Sequence, residues 1–480
     1  MTRSILVLAG TACLPACFYI PESTVTGRVG SGDSATTADT ATDTDTDSDT
    51  DSDTDTESDT DTDGDSGSDT AGLLKFYADT DSDGCGDPNS FRYAAFAPPG
   101  WVDNDYDCND GTASIPMWAS NAGSSRASGR KTDPYLTIKA ALAAAAAVET
   151  TTRCVRVVGG TYTENLVAPS VDMEIVGVDG AGATIVDAAG SGSVLTMAGG
   201  TMAITGLTLS DGGGYATAYT VGAATVDQYV GGGVRQTGGN LTLTATVISG
   251  NKLPDEKAAT TDIHGTISYG GGISFAGTSL TLDDVTFSGN NAYEGSVIDA
   301  GGGIIRFDHV HASGDTGGYG VAGVFVGGTV SITHSLIADE VGSTTDGFYM
   351  RGVAATFASS TLANLDQAIT LEEGTNPPST LTIDSSIITA TDYAVVGDAI
   401  AVSTARLTYS DVTAAVPYLG ISPVTDITDI SKDPKFTGTS DYHLKSSSPC
   451  SNAGNPTAGN DDDGTATDMG RYGGAGGSTE

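Results

Sequence analysis

The chain has 480 residues, of which 61 are acidic and 20 are basic, so its formal net charge is -41. Such a strongly acidic chain repels the phosphates of nucleic acid and attracts divalent cations, which excludes nucleic acid from the expected partners. The chain contains 65 glycines and only 6% aromatic residues, a composition that favours tight corners and close backbone stacking over a bulky core.

The N-terminus has the features of an export signal. The apolar run from Ile5 to Gly10 follows Arg3 and is too short to span a bilayer, which is typical of a secretory signal. The sequence Leu-Pro-Ala-Cys that ends at Cys17 resembles a bacterial lipobox. The resemblance implies a signal peptide over residues 1–17, lipidation of Cys17 and, with Phe18 next, an outer-membrane or cell-surface location. Cleavage followed by simple secretion is the alternative.

Residues 18–72 have the composition of a linker. Between residues 33 and 69 the chain repeats Asp-Thr and Asp-Ser dipeptides and contains no Lys or Arg. Such a segment has too little apolar surface to fold, and repulsion between like charges extends it. We expect a disordered spacer that separates the N-terminal anchor from the rest of the chain.

Residues 73–119 carry two closely spaced acidic turns. The first turn places Asp79, Asp81 and Asp83 on one side of a tight loop at Gly84. Calcium prefers such a shell of hard oxygen ligands. An EF-hand is excluded because Ser90 stands where the bidentate Glu would be required. We therefore expect a structural calcium site, with ligands from both turns and from the Cys85 carbonyl. The predicted ligand set is Asp79, Asp81, Asp83, Cys85, Asp87, Asp103, Asp105, Asp107 and Asp110.

The same segment resembles the calcium-binding repeats of thrombospondin type 3 and of MopE-like bacterial surface proteins. The matching elements are Tyr-Ala-Asp-x-Asp-x-Asp-Gly, which starts at Tyr77, and Asp-Cys-x-Asp, which starts at Asp107. The resemblance implies a calcium-binding segment with a structural role. The alternative is an ordered end of the acidic linker that binds no ion.

Six cysteines are present, and two of them, Cys13 and Cys17, belong to the export signal. Disulfides are permitted in an exported chain. Cys85 and Cys108 are the expected pair because both lie in one short segment. Cys154 and Cys450 lie near opposite ends of the solenoid predicted for the rest of the chain, too far apart for a disulfide unless the C-terminal tail folds back, so we expect both to be unpaired.

A regular series of apolar positions begins after residue 200. Each position has an apolar partner two residues earlier, and the steps between positions are 39, 39, 25, 25, 25, 26 and 26 residues. This spacing predicts a solenoid of short strands that rises about 4.8 Å per coil. An antiparallel sandwich, the alternative, has no reason to keep one register over so many repeats. The eight anchors are Ile204, Leu243, Leu282, Phe307, Ile332, Phe357, Ile383 and Tyr409.

Residues 130–474 resemble a single-stranded right-handed parallel β-helix of the pectin-lyase-like superfamily. Asp133-Pro134 precedes an Ala-rich stretch that predicts a capping helix over the first coil, with Asp133 as its N-cap. Residues 154–165 resemble the first coil of such proteins, and residues 433–472 resemble their terminal segment. The resemblance implies an all-β fold, but it specifies activity weakly because lyases, hydrolases and adhesins share this fold.

The two 39-residue steps indicate insertions. The extra chain falls at the same junction of consecutive coils, from Asp211 to Val230 and from Lys252 to Tyr269, so both insertions are expected to project from one flank. Tyrosines over a polar groove suit sugar rings, although a flexible Gly-rich decoration is the alternative. The predicted binding face consists of Tyr215, Tyr219, Tyr229 and Tyr269.

Stacking of the coils also predicts a polar column. Asp284, His309 and His334 each lie two residues after an anchor, and Asp283 and Asp308 form the adjacent column. Column neighbours about 5 Å apart allow a carboxylate-imidazole pair or a shared ion, so these five residues are the candidates for catalysis. A solvated polar corner is the alternative. The motifs of pectate lyases and polygalacturonases are absent.

The sequence therefore predicts a cell-surface lipoprotein that presents a β-helix for binding or adhesion, with glycans as candidate ligands. One alternative is a surface polysaccharide lyase or glycoside hydrolase of the pectin-lyase-like superfamily. Another is a passive structural component of the surface.

Overall fold

The computed structural model describes residues 73–82, 86–87, 90–104, 107, 116–148, 153–221, 224–254, 265–345, 347–372, 377–397, 403–425 and 427–477. Several predictions therefore lie outside the described residues. They are the signal peptide, lipidation of Cys17, the linker, the predicted Cys85–Cys108 disulfide, and the ligands Asp83, Cys85, Asp105 and Asp110.

The described residues form one helix and a long series of short strands. The first part comprises β1 Leu74–Ala78, β2 Phe91–Ala94, β3 Trp101–Val102, β4 Met117–Ser124, α1 Ile138–Ala146, β5 Cys154–Val157, β6 Gly160–Thr163, β7 Leu166–Val167, β8 Met173–Gly177, β9 Thr184–Asp187, β10 Leu195–Met197, β11 Thr201–Thr205, β12 Thr208–Ser210, β13 Tyr215–Val221, β14 Ala224–Val230, β15 Val234–Gln236, β16 Asn240–Ser249, β17 Gly265–Tyr269 and β18 Ile273–Phe275. The second part comprises β19 Ser279–Ser288, β20 Asn291–Glu294, β21 Ile298–Gly301, β22 Ile304–Asp308, β23 His311–Ser313, β24 Thr316–Tyr319, β25 Gly323–Val326, β26 Thr329–Thr333, β27 Leu336–Ala338, β28 Val341–Thr345, β29 Phe348–Arg351, β30 Ala354–Ala358, β31 Thr361–Leu371, β32 Thr380–Asp384, β33 Ile387–Gly397, β34 Thr404–Thr408, β35 Asp411–Thr413 and β36 Val416–Leu419.

Successive coils stack with parallel hydrogen bonding on three faces. The first face runs through β5, β8, β11, β16, β19, β22, β26, β30, β32 and β34. The second face starts at β6 and ends at β35, and the third starts at β7 and ends at β36. The predicted right-handed parallel β-helix is therefore confirmed. Strand pairing on the first face reaches back to β4, so the predicted start at residue 130 falls in the loop after this strand.

The anchor register is confirmed for seven of the eight positions. Pairing partners run in unbroken order from Ile204 to Ile383, and their side chains are buried. The last anchor was predicted wrongly, because Ile383 pairs with Leu407 and not with Tyr409. Leu407 and Tyr409 both fit the period-two apolar pattern. The final coil is shorter than the coils before it, so Leu407 takes the anchor position. Tyr409 lies instead in the bend that follows the strand.

One residue per coil turns the chain from the first face to the second. It lies two positions after the anchor and has a left-handed backbone, with φ of 53° at Asp284, 53° at His309 and 44° at His334. Non-glycine residues adopt this region at a cost of about 1–3 kcal/mol, which the hydrogen bonds of the stack must offset. The other non-glycine members of this bend column are Ala245, Ser359, Ser385 and Tyr409, and Gly206 occupies the same bend after Ile204.

A ladder of buried serines follows the bend column. Ser360 Oγ accepts from the Ser335 backbone N–H at 3.3 Å and donates to the Ala358 carbonyl at 2.8 Å. Ser386 and Ser410 repeat both bonds one and two coils later. Each hydroxyl therefore satisfies one backbone donor and one acceptor where the chain turns away from its strand ladder.

A second buried ladder follows the end of the second face. Asn290 Nδ2 donates to the Ile248 carbonyl at 2.9 Å and to Asp315 Oδ1 at 2.8 Å. Asn290 Oδ1 accepts from Asn251, from its backbone N–H at 3.2 Å and from its Nδ2 at 2.9 Å. Glu340 continues the ladder by accepting from the Asp315 backbone N–H at 2.8 Å. We call these four residues, Asn251, Asn290, Asp315 and Glu340, the corner ladder.

The first coil is covered by the predicted helix. Ile138 and Leu142 of α1 are buried in the main core, as expected for a cap. The predicted N-cap, Asp133, is wrong. Thr137 is the N-cap and accepts from the Ala140 N–H at 3.2 Å, because the chain remains extended through Tyr135, which bridges to β4.

Glu164 of the first coil binds the start of this helix. Its two carboxylate oxygens accept from the N–H groups of Ile138 at 2.8 Å and Lys139 at 3.0 Å. The carboxylate therefore accepts from two N–H groups that have no partner within the helix. Its negative charge also interacts favourably with the positive end of the helix dipole.

Replacement of Glu164 by alanine is expected to lower the free energy of unfolding by about 1–3 kcal/mol, because it leaves two helix N–H groups unpaired near the core. The measurement is urea denaturation followed by circular dichroism. Thr163→Ala, at the exposed neighbouring position, is the control and should change stability little. Equal stability of the two variants would contradict the proposed role of Glu164.

The acidic segment before the β-helix contains a small sheet in the order β2-β1-β3. It is attached to the first coil where Arg156 Nη2 donates to the Asp107 carbonyl at 2.8 Å. Cys154 is disulfide-bonded, so the prediction that it is unpaired was wrong; its partner lies outside the described residues. The prediction considered only Cys450 as a partner of Cys154, and Cys450 is free.

The C-terminal segment folds back over the second face. The rings of Phe436 and Tyr442 pack edge to face over the strands, and Tyr442 Oη donates to Asp339 Oδ2 at 2.8 Å. Cys450 is free and buried, as expected, and its Sγ lies 3.1 Å from Asp411 Oδ2. Among the described residues there is no helix of the length and hydropathy that a membrane span requires.

Candidate functional site

The end of β22 and the bend column bring three of the candidate catalytic residues together. Asp308 ends β22, His309 follows it in the left-handed bend, and His334 occupies the same bend one coil later. The two imidazole rings stack with centroids 5.1 Å apart and planes inclined by 18°. We call Asp308, His309 and His334 the histidine cluster.

The ligand atoms of the histidine cluster converge on one carboxylate oxygen. Asp308 Oδ1 lies 3.3 Å from His309 Nδ1 and 3.4 Å from His334 Nδ1. The same oxygen accepts from the Thr333 hydroxyl at 2.8 Å, which fixes its position. On the other side of the ring, His309 Nε2 lies 2.6 Å from the carbonyl oxygen of Gly476 in the C-terminal segment. Among the described residues, this is the group of His, Cys and carboxylate side chains whose ligand atoms lie close enough to hold a metal ion.

The other two column candidates lie at the margin of the cluster. Asp283 is the strand partner of Asp308, and partial burial together with the Asp308 charge raises the pKa of its carboxyl. Asp284 shares the bend column but is exposed to solvent. Burial lowers the pKa of His334, so at neutral pH its imidazole favours the neutral form that can bind a metal or act as a base.

The flank carries a second feature, a six-stranded sheet that is distinct from the large sheet of the β-helix. The first insertion forms the antiparallel hairpin of β13 and β14, and β14 pairs in parallel with β17 from the second insertion. The two insertions therefore lie side by side. The sheet continues through β20, β24 and β28, which belong to coils of ordinary length and were not predicted from the step lengths.

The strand register divides the predicted tyrosines between the two faces of this flanking sheet. Tyr215 pairs with Val230, and Val230 pairs with Tyr269, so Tyr215 and Tyr269 lie on one face. Tyr229 is adjacent to Val230 and therefore points to the opposite face. Tyr219 lies in β13 opposite Val226.

The face with Tyr215 and Tyr269 contacts the third face of the β-helix. The guanidinium of Arg235 lies 4.2 Å from the centre of the Tyr215 ring, and further along the rings of Tyr319 and Tyr349 lie 4.5 Å apart. These contacts connect two parallel rows of residues. One row is Tyr215, Val230, Tyr269, Glu294 and Tyr319 on the flanking sheet, and the other is Arg235, Ser274, Asp299, Val324 and Tyr349 on the third face.

Asp299 is a candidate functional residue that sequence reasoning missed. It occupies the middle of the row on the third face, between Ser274 and Val324. Burial raises the pKa of its carboxyl to about 7. A carboxyl group that titrates near neutral pH suits general acid-base chemistry. The sequence signal for Asp299 was an acidic residue between two apolar residues of a strand. No motif distinguishes this residue from other acidic residues of the coils.

No family model matches the chain, and no curated protein matches it. Among solved structures, the chain is similar to the crystal structure of pectate lyase Pel9A, with 11% sequence identity and a TM-score of 0.42. The alignment covers 75% of this chain and 96% of that chain. At this level the likeness adds nothing to the fold assignment, which the strand pairings establish.

Part of the predicted calcium site lies within the described residues. The backbone N–H of Asp87 donates to the Ala78 carbonyl at 2.7 Å, and that of Asp107 donates to the Gly86 carbonyl at 3.1 Å. The two acidic turns are therefore adjacent, which fits a cation held by carboxylates from both. Calcium binding stays a prediction. The described members of the ligand set are Asp79, Asp81, Asp87, Asp103 and Asp107.

Proposed function

We propose that the protein is an exported, lipid-anchored surface protein whose flanking sheet binds glycans. The observation that carries this proposal is the row of Tyr215, Tyr269 and Tyr319, which runs beside Arg235, Ser274 and Asp299 on the third face of the β-helix. Aromatic rings pack against the apolar faces of sugars, and adjacent Arg, Ser and carboxylate groups supply hydrogen bonds to hydroxyls. The three tyrosines lie on alternate strands, about 9.6 Å apart, a spacing that suits contact with every second unit of an extended sugar chain.

The rest of the chain is consistent with display at a surface. A lipid at Cys17 would hold the protein on the membrane, and the acidic linker would separate it from the headgroups. Calcium at the acidic segment would reduce repulsion between its carboxylates and stiffen the junction with the first coil. In this proposal the β-helix is a rigid support for the flanking sheet.

The experiment is a glycan and polysaccharide screen of the purified protein, followed by affinity measurements on the best ligand. Tyr215→Ala and Tyr269→Ala are each expected to weaken binding about tenfold, because each removes one aromatic contact. Tyr229→Ala, on the opposite face of the same sheet, is the matched control. The proposal fails if Tyr229→Ala weakens binding as much as the other two, or if the protein binds no glycan, an outcome that would favour a passive structural role.

A second candidate function, a surface polysaccharide lyase or glycoside hydrolase, is favoured by Asp299. Its raised pKa and its position beside the tyrosine row would allow it to exchange a proton with a bound sugar chain. The same screen, scored for product release, distinguishes this function from binding alone. An enzyme that uses Asp299 should lose activity in Asp299→Asn and retain glycan affinity, whereas unchanged product release would exclude the role.

A further inference from the structure

The hydrogen bond of His309 to the C-terminal segment leaves its other ring nitrogen in an unfavourable contact with Asp308. A carbonyl oxygen only accepts, so His309 Nε2 must donate its proton to the Gly476 carbonyl. In a neutral imidazole the other nitrogen then carries no proton. If the ring is neutral, the lone pair of Nδ1 therefore faces Asp308 Oδ1 at 3.3 Å, and two acceptors oppose each other unless Nδ1 takes up a proton or a metal cation lies between them.

The distances indicate what kind of cation fits. A charge-assisted hydrogen bond between imidazolium and carboxylate is about 2.7–2.9 Å long, shorter than the 3.3 Å and 3.4 Å found here. Ligands placed about 2.0–2.1 Å from a tetrahedral metal ion lie roughly 3.3–3.4 Å from each other. The separations between Asp308 Oδ1 and the two Nδ1 atoms therefore match two edges of a tetrahedral site.

We propose that Asp308, His309 and His334 bind a divalent metal ion of the zinc class. Two imidazole nitrogens and one carboxylate favour Zn²⁺ and its neighbours over calcium, which prefers oxygen ligands alone. The ion would bridge two successive coils. The Gly476 carbonyl fixes the ring orientation of His309 in the manner of an outer-shell partner, so the ion also holds the C-terminal segment against the coils.

The backbone and neighbouring side chains hold the three proposed ligands in place without an ion. Both histidines occupy bends of fixed left-handed conformation, and the Thr333 hydroxyl bonds the shared carboxylate oxygen. The first and second faces hold the adjacent strands in register on both sides of the bend. The ligand atoms of the three side chains already lie within 4.8 Å of one another in this support.

The test is calorimetric titration of the full chain with Zn²⁺ after chelation, in a buffer with excess Ca²⁺ to occupy the acidic segment. One ion per chain is expected. His334→Ala and Asp308→Asn should each weaken Zn²⁺ binding by at least about 100-fold, more than the loss typical of an outer-shell partner. His443→Ala is the matched control, because His443 also pairs with a carboxylate, Asp441, but has no second histidine.

Cobalt substitution of the unmodified protein provides a readout that does not depend on variants. A tetrahedral site with nitrogen ligands should give visible absorption with Co²⁺, and Zn²⁺ should displace it. The proposal is overturned if no stoichiometric binding occurs, if Co²⁺ gives no tetrahedral spectrum, or if His443→Ala weakens binding as much as His334→Ala. The cluster would then be an imidazolium-carboxylate pair only.

Discussion

Replacement of Asn290 by alanine is expected to lower the free energy of unfolding by roughly 3–5 kcal/mol. The side chain is fully buried and connects three coils, since it binds the Ile248 carbonyl, the backbone and side chain of Asn251, and Asp315. The variant loses four buried hydrogen bonds, each worth about 0.5–1.5 kcal/mol net, and alanine also leaves a cavity. The measurement is the urea midpoint of unfolding followed by circular dichroism.

The neighbouring residue provides a matched control. Asn291 has the same side chain, but its amide donates to Thr316 in an exposed position at the start of β20. Asn291→Ala should therefore change stability by less than about 1 kcal/mol. Equal losses in the two variants would show that the corner ladder contributes nothing beyond an ordinary surface hydrogen bond.

Because the corner ladder contains two buried carboxyl groups, Asp315 and Glu340, we expect the free energy of unfolding to fall as pH rises. Burial raises the pKa of Asp315 to about 7 and raises that of Glu340 well above its usual value, with the Asp315 charge adding to the effect. A carboxyl group whose pKa is higher in the folded than in the unfolded protein stabilises the fold at pH values below the unfolded pKa. This contribution is lost as pH rises through the folded pKa, between about pH 4 and 8.

Replacement of Asp315 by asparagine is expected to remove most of this pH dependence. The amide side chain would keep an acceptor for Asn290 and add an N–H donor toward Glu340, so no charge would have to be buried beside Glu340. At pH 8 the variant should be more stable than the wild type by about 2–4 kcal/mol, and the two should converge near pH 4. Urea midpoints at pH 4, 6 and 8 provide the test.

Asp392→Asn removes an exposed carboxylate from β33 and is the control for net charge. Its stability is expected to follow the wild type at each pH. If Asp392→Asn flattened the pH dependence as much as Asp315→Asn, general repulsion within this acidic chain would be the cause. A wild type that gains stability between pH 4 and 8 would contradict the proposal for the buried pair.

The fold was predictable because the coil interior repeats in sequence. The alternation at Leu280 and Leu282 recurs at Ile305 and Phe307, and the strands pair in that register. Prediction failed where the repeat ends or changes length. Tyr409 and Leu407 both fit a period of two, and only the shorter final coil decides between them. The N-cap is Thr137 and not Asp133, because Tyr135 forms a strand bridge to β4 and the helix begins only after it. The local sequence gives no signal for this bridge.

The histidine cluster was predictable for the same reason, since a step of 25 residues places His309 and His334 on adjacent coils. Its contact with Gly476 was not, because the C-terminal segment has no repeat that relates it to the coils. The corner ladder left a signal in the sequence. Ser-Gly-Asn ends at Asn251 and at Asn290, and Ser-Gly-Asp ends at Asp315.

The bend column has a further consequence. The same left-handed backbone accommodates alanine at 245, aspartate at 284, histidine at 309 and 334, and tyrosine at 409. The strands on both sides of the bend stay in register whichever residue occupies it, and the serine ladder adds hydrogen bonds at the later bends. Side chains along this edge can therefore be exchanged without altering the coil, so the rod can present a chosen series of chemical groups at a constant spacing of about 4.8 Å.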